Sequence, residues 1–154
     1  MDGHQLLTQY DKGNRAFLSA NLRDADLKQA YLIGINLSRS DLRRADLRGA
    51  DLSRANLSHA NLADANLQDA NLYGANLTGS NLSRANIRHA NLSKTNLQGA
   101  QLTDAELSGA NFHEANLAGA HMHGVDLTGI DMVSDNPDYL RVCRARLTTG
   151  IPRS

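Results

Sequence analysis

The chain has 154 residues, 41% of them hydrophobic, and its sixteen basic side chains balance sixteen acidic ones. That is length for one domain with a real core, and there is no net field to draw it to nucleic acid or an anionic membrane. A single cysteine excludes an intrachain disulfide framework and a cysteine-rich zinc site, and 4% aromatic residues without tryptophan is thin material for a conventional globular core or a base-stacking surface.

The opening MDGHQLLTQY has neither a basic flank nor a long apolar run, and no later segment approaches a membrane span. With the lone cysteine, the expectation is a soluble protein in the reducing cytoplasm. Residues 4–12, HQLLTQYDK, predict a short helix with Leu6, Leu7 and Tyr10 along one side and Gly13 as its stop. Residues 1–14 therefore form an element distinct from the rest of the chain.

From Phe17 to Met132 a large apolar residue recurs every fifth position without insertion or deletion: 24 units, 19 of them Leu. The exceptions are Phe17, Ile87, Phe112, Met122 and Met132. Two residues earlier, 17 of the 24 are Ala, and the intervening residue is Asn or Asp in 19. On a helix a step of five advances about 500°, which scatters the leucines around the circumference. On a flat strand an odd period throws them to alternate faces. Neither element buries them together, so the chain must extend for about three residues and then bend. Ala and Leu then point inward and Asn outward, and two residues turn each corner. Nine of the twelve glycines occupy the second corner position, where relaxed backbone sterics are useful.

The phrase A(D/N)LXX, as in Ala55-Asn56-Leu57 and Ala50-Asp51-Leu52, resembles the repeat of the pentapeptide-repeat family, in the style of its many cyanobacterial members. The resemblance implies an all-β fold: a right-handed quadrilateral parallel β-helix with four units per coil. Residues 15–134 then make about six coils, roughly 29 Å long at the usual strand spacing. Stacked residues lie twenty apart, and Phe17, Leu37, Leu57, Leu77, Leu97 and Leu117 form one inner column.

Solenoid ends expose unpaired edges that need cover. Leu6 and Tyr10 are the expected cap at one end. At the other, residues 135–154 predict a capping helix and tail, with Asp135 or Asn136 as N-cap, Pro137 at the first helical position, and Leu140, Cys143 and Leu147 on the sealing side. Val125 and Ile130 replace inner alanines just before it, as if the core broadens to meet it. The expectation is a monomer, with dimerisation through the C-terminal helix as the alternative.

Stacking by twenty turns the surface into columns. Asp24, Arg44, Asp64, Arg84 and Asp104 make a ladder of alternating charge. Basic residues gather early (Arg23, Lys28, Arg39, Arg43, Arg44, Arg48 and Arg54), whereas residues 95–138 hold seven acidic and no basic side chains. Interleaved aspartates and the want of aromatic platforms speak against nucleic-acid binding. His121 and His123 project from one wall, but zinc needs three or four ligands; Glu106 and Asp126 share a column, too few oxygens for calcium. No catalytic constellation, cofactor or metal site emerges. The expected function is a non-enzymatic rigid solenoid serving as a protein-interaction or scaffold module for an unknown protein partner. The alternative comes from the resemblance: some members mimic a DNA duplex and inhibit or protect a type II topoisomerase.

Overall fold

The computed structural model describes residues 1–131. The chain begins with α1, Gly3–Asp11, one residue earlier at each end than the apolar pattern predicts. A capping box sets the start: Asp2 Oδ1 accepts from Gln5 N (2.8 Å) and Gln5 Oε1 accepts from Asp2 N (2.9 Å). The helix ends where Gly13, at φ 94°, donates its N–H to Tyr10 O. Leu6 is fully buried in the same apolar cluster as the solenoid core, and Leu7 and Tyr10 pack against it half-buried. The Tyr10 hydroxyl donates to Ile33 O (2.9 Å) while the Arg15 guanidinium lies 3.7 Å over the Tyr10 ring. At the other end of the helix, a Cβ on Gly3 would sit 2.3 Å from Asp26 O, so the approach to the first coil depends on a residue without a side chain.

Beyond α1 every extended segment pairs in parallel with the one twenty residues on, from Ala16 with Asn36 to Asn111 with Asp131. Five-residue sides and a twenty-residue register make four walls. Wall 1 carries the column from Ala16 to Asn116, wall 2 from Asn21 to His121, wall 3 from Asp26 to Asp126 and wall 4 from Tyr31 to Asp131. The extended pieces are single bridges between turns, because a corner arrives every five residues.

A unit with Asn or Asp in its outward column places all five of its N–H groups. In Ala55–His59, Ala55 N closes the turn on Leu52 O; Asn56 N donates down to Ile35 O; Leu57 N and His59 N donate up to Asn76 O and Thr78 O. That leaves the first corner residue, and Ser58 N donates to the Asn56 side chain (3.1 Å). The same bond recurs from Asn21 with Arg23 to Asp126 with Thr128. Alternation along a strand accounts for a polar residue in this column; the Asx turn accounts for its being Asn or Asp.

Inside, Phe17 is 5% exposed and Leu37, Leu57, Leu77, Leu97 and Leu117 are fully buried, all in one cluster with the alanines. Three alanine positions hold hydroxyls instead, and each has a carbonyl acceptor: Ser40 on Phe17 O (3.0 Å), Ser80 on Leu77 O (2.8 Å) and Thr95 on Leu92 O (2.6 Å). Val125 is buried and Ile130 half-buried. Leu140, Cys143 and Leu147, with Met132 and the expected second helix, lie outside the described residues.

Glycine obeys a different rule from the one its position suggests. All second corner positions from Ser19 to Gly129 have positive φ, and fourteen of them are not glycine. Left-handed backbone is therefore common to every corner and does not choose the residue. At three corners the side chain one coil below leaves no room for a Cβ: Gly79 lies over the His59 ring, Gly109 over His89 and Gly124 over the Asp104 carboxylate. An added Cβ would approach His89 Nδ1 to 2.3 Å at Gly109, whereas at Gly99, stacked on Gly79, it meets nothing within 4 Å.

Two predictions test this packing. Leu67→Ala, in mid-solenoid, leaves a cavity the neighbouring coils cannot close and costs about 2–5 kcal/mol in chemical denaturation. Gly99→Ala costs about 1–2 kcal/mol, the strain of left-handed backbone with a Cβ. Gly109→Ala costs more, and the excess disappears when His89→Ala is combined with it; a double mutant cycle that is merely additive would show the ring contact to be irrelevant.

Candidate interaction surface

Charged side chains on the walls are held locally. Arg44 grips Asp24 through two bonds of 2.7 Å, and Arg84 grips Asp64 through two of 2.8 Å. The ladder thus resolves into pairs in which each Arg reaches back one coil; Asp104 instead turns toward Gly124. Arg43 chelates Asp41, Arg48 chelates Asp46, and Lys28 bridges Asp26 (3.4 Å) and Asp46 (3.9 Å). Of the early basic residues, Arg23, Arg39 and Arg54 make no ion pair among the described residues. They project from walls 2, 1 and 4, so they cannot track one phosphate backbone together.

Hydrogen bonds from Arg44 and Arg84 hold the carboxyls of Asp24 and Asp64 below the ordinary range. Arg43 acts most strongly: its hydrogen bonds to Asp41, with the Arg43 backbone N–H and charge behind them, lower that carboxyl from 3.8 to about 2 despite partial burial.

His121 and His123 are exposed on wall 2, and Glu106 pairs with Arg88 (3.1 Å) while Asp126 accepts from the Thr128 N–H and hydroxyl. Among the described residues no group of three or more His, Cys, Asp or Glu is arranged to hold a metal ion, and no helix is long and apolar enough to cross a membrane.

What stands out is apolar. Tyr31 is 76% exposed, Leu18 56% and Ile33 48%, all on the first coil beside α1. Tyr31 and Ile33 share wall 4 with Tyr73, over which Lys94 sits 5.8 Å from the ring centre. Composition alone did not single these residues out. The signal was available: Tyr31 stands where the repeat calls for Asn or Asp, and Leu18 and Ile33 occupy corner positions that elsewhere are mostly polar or small.

The family profile described as pentapeptide repeats, in eight copies, matches residues 20–58, 60–99 and 95–132. Among solved structures, the chain is similar to Rfr23, a pentapeptide repeat protein of the cyanobacterium Cyanothece 51142. The two share 26% identity over 86% of this chain and 97% of the other, with a TM-score of 0.58. A pentapeptide repeat protein of the Arabidopsis thaliana thylakoid lumen is 22% identical over 90% of each chain, with a TM-score of 0.52. The fold these relatives imply is a right-handed β-helix solenoid. QnrB1, a plasmid-mediated fluoroquinolone resistance protein, matches at 18% identity over 92% of this chain and 94% of the other; its TM-score of 0.36 supports no functional argument. No curated protein sequence matches the chain.

The Asp41–Arg43 chelate carries a pH signature. Because the folded carboxyl titrates near 2 against an ordinary 3.8, its contribution is present above pH 3.8 and is lost as pH falls toward 2. Arg43→Gln should lower the denaturation midpoint only slightly at pH 6, because so exposed a pair is well screened by solvent. The gap to the parent should narrow as pH falls from 3.8 to 2, and carboxyl-detected NMR titration should show Asp41 moving up toward its ordinary value.

Proposed function

The chain belongs to the pentapeptide-repeat family, and on that premise we propose that it is a non-enzymatic, rigid interaction or scaffold module whose partner is another protein. One observation carries the reading: the apolar residues that break the repeat, Tyr31, Ile33 and Leu18, are gathered exposed at one end of an otherwise regular polar rod. Tyr is among the residues that most often anchor protein interfaces, and contiguous exposed apolar surface on a soluble fold marks contact sites. Members of this family are generally repeat modules rather than enzymes. The walls offer regularity in place of the enclosed, water-excluding pocket that catalysis uses.

In the same proposal, α1 is the N-terminal cap and residues 15–134 the interaction rod, with the protein working in the cytoplasm. Leu6 in the core and Gly3 against Asp26 support the capping role. The topoisomerase alternative asks for a strongly anionic face, and here the formal net charge is zero with Asp24, Asp41 and Asp64 of wall 2 chelated by arginines.

Crosslinked capture from the native host, with the full chain as bait, should recover a defined protein that a Tyr31→Ser, Ile33→Ser variant fails to recover. Equal capture by both baits, or none by either, would overturn the patch as the contact site. In a gyrase supercoiling assay, low-micromolar protein should leave both supercoiling and drug-induced cleavage unchanged; a change in either would favour the DNA-mimic reading instead.

A further inference from the structure

We propose that wall 4 is a self-association face on which a second copy of this chain packs antiparallel about a two-fold axis. The wall holds all three described tyrosines or their contacts: Tyr31 and Tyr73 project from it, and the Tyr10 hydroxyl is tied to Ile33 O at its base. It also holds a cation without a mate, since Arg54 makes no ion pair or side-chain hydrogen bond among the described residues. Higher on the same column stands Glu114, shared loosely between Lys94 (3.7 Å) and His113 (3.6 Å). The basic member is low on the wall and the acidic one high, which is the arrangement a reversed copy complements.

The columns set the register. A two-fold axis lying across the wall, at right angles to the rod, reverses the order of coils and keeps each column opposite itself. With the axis midway between the coils of Tyr73 and Ser93, Arg54 faces Glu114 of the second copy, and Tyr31 faces Asp131. Asp51 then meets Asn111, and Lys94 meets Gly74, which leaves it room. No like charges oppose one another directly, and the two Lys94 side chains stand one coil apart.

Slipping the copy by one coil in one direction sets Arg54 against Lys94. Slipping it in the other sets Asp51 against Asp131 and Lys94 against its own counterpart. Both slips are penalised by repulsion, so charge selects one register of the three. The wall, about 29 Å tall and about 10 Å wide, offers roughly 300 Å² per copy, well under the ~800 Å² of a standard interface. The dimer is therefore weak: monomer prevails in dilute solution, and pairing emerges as concentration rises.

Sedimentation equilibrium of the full chain over a wide concentration range tests this. The mean mass should rise from 16.7 kDa toward twice that value, less so at high salt. Arg54→Glu or Glu114→Arg alone should weaken association about tenfold, because the two-fold repeats each pair and reversal replaces attraction with repulsion. The double variant should restore it. Both side chains are exposed, and denaturation curves will show that each variant is folded. A mass fixed at 16.7 kDa throughout, association indifferent to the single reversals as a C-terminal-helix dimer would be, or a double variant that fails to recover, would each overturn the proposal.

Discussion

Everything in this molecule depends on where five backbone N–H groups go in each five-residue unit. Two rise to the coil above, one descends, one closes the corner, and in the units that carry Asn or Asp the fifth is taken by that side chain. Without that side-chain oxygen the first corner donor has no partner in the chain. With it, a corner every five residues becomes compatible with an unbroken stack, and Leu and Ala fill a dry interior. The core is thus a consequence of hydrogen-bond closure as much as of hydrophobicity.

The same stacking couples each surface residue to those twenty positions away, and the coupling decides local detail. Gly79, Gly109 and Gly124 sit where the coil below thrusts a ring or carboxylate upward; arginine reaches to an aspartate across one step and ignores the next. On wall 4, Asn91 donates to Asn71 and Asn71 to Asp51, each at 3.2 Å, so even neutral amides form a short ladder. Such pairs contribute little individually, but they tie up the outward groups and leave a surface with little free chemistry. Of the departures from the repeat, those that leave a large apolar side chain exposed, Leu18, Tyr31 and Ile33, fall on the first coil.

That distribution suits the proposed role of presenting a surface to a partner. A straight stack holds its ends and walls in fixed relation, and neutral total charge permits contacts governed by local pattern instead of long-range attraction. The early excess of basic residues is largely cancelled within its own coils, so the charge gradient along the chain survives on the surface mainly at individual side chains such as Arg54 and Glu114.

The sequence by itself determined that the chain coils. A five-residue period of Leu with Ala two positions earlier admits no helix and no flat strand, and it says which residues point inward from Phe17 to Leu127. It also located the first helix to within one residue. What only the tertiary structure decided is everything that depends on residues twenty apart, because the in-and-out pattern is the same whatever number of corners closes a coil. Four walls entered the sequence reading through family resemblance, and the register from Ala16–Asn36 onward supplies the geometry. The resolution of the charge ladder into pairs and the need for glycine at 79, 109 and 124 rest on that register. The exposure of Tyr31 and Ile33, by contrast, follows from their places in the repeat, an outward column and a corner.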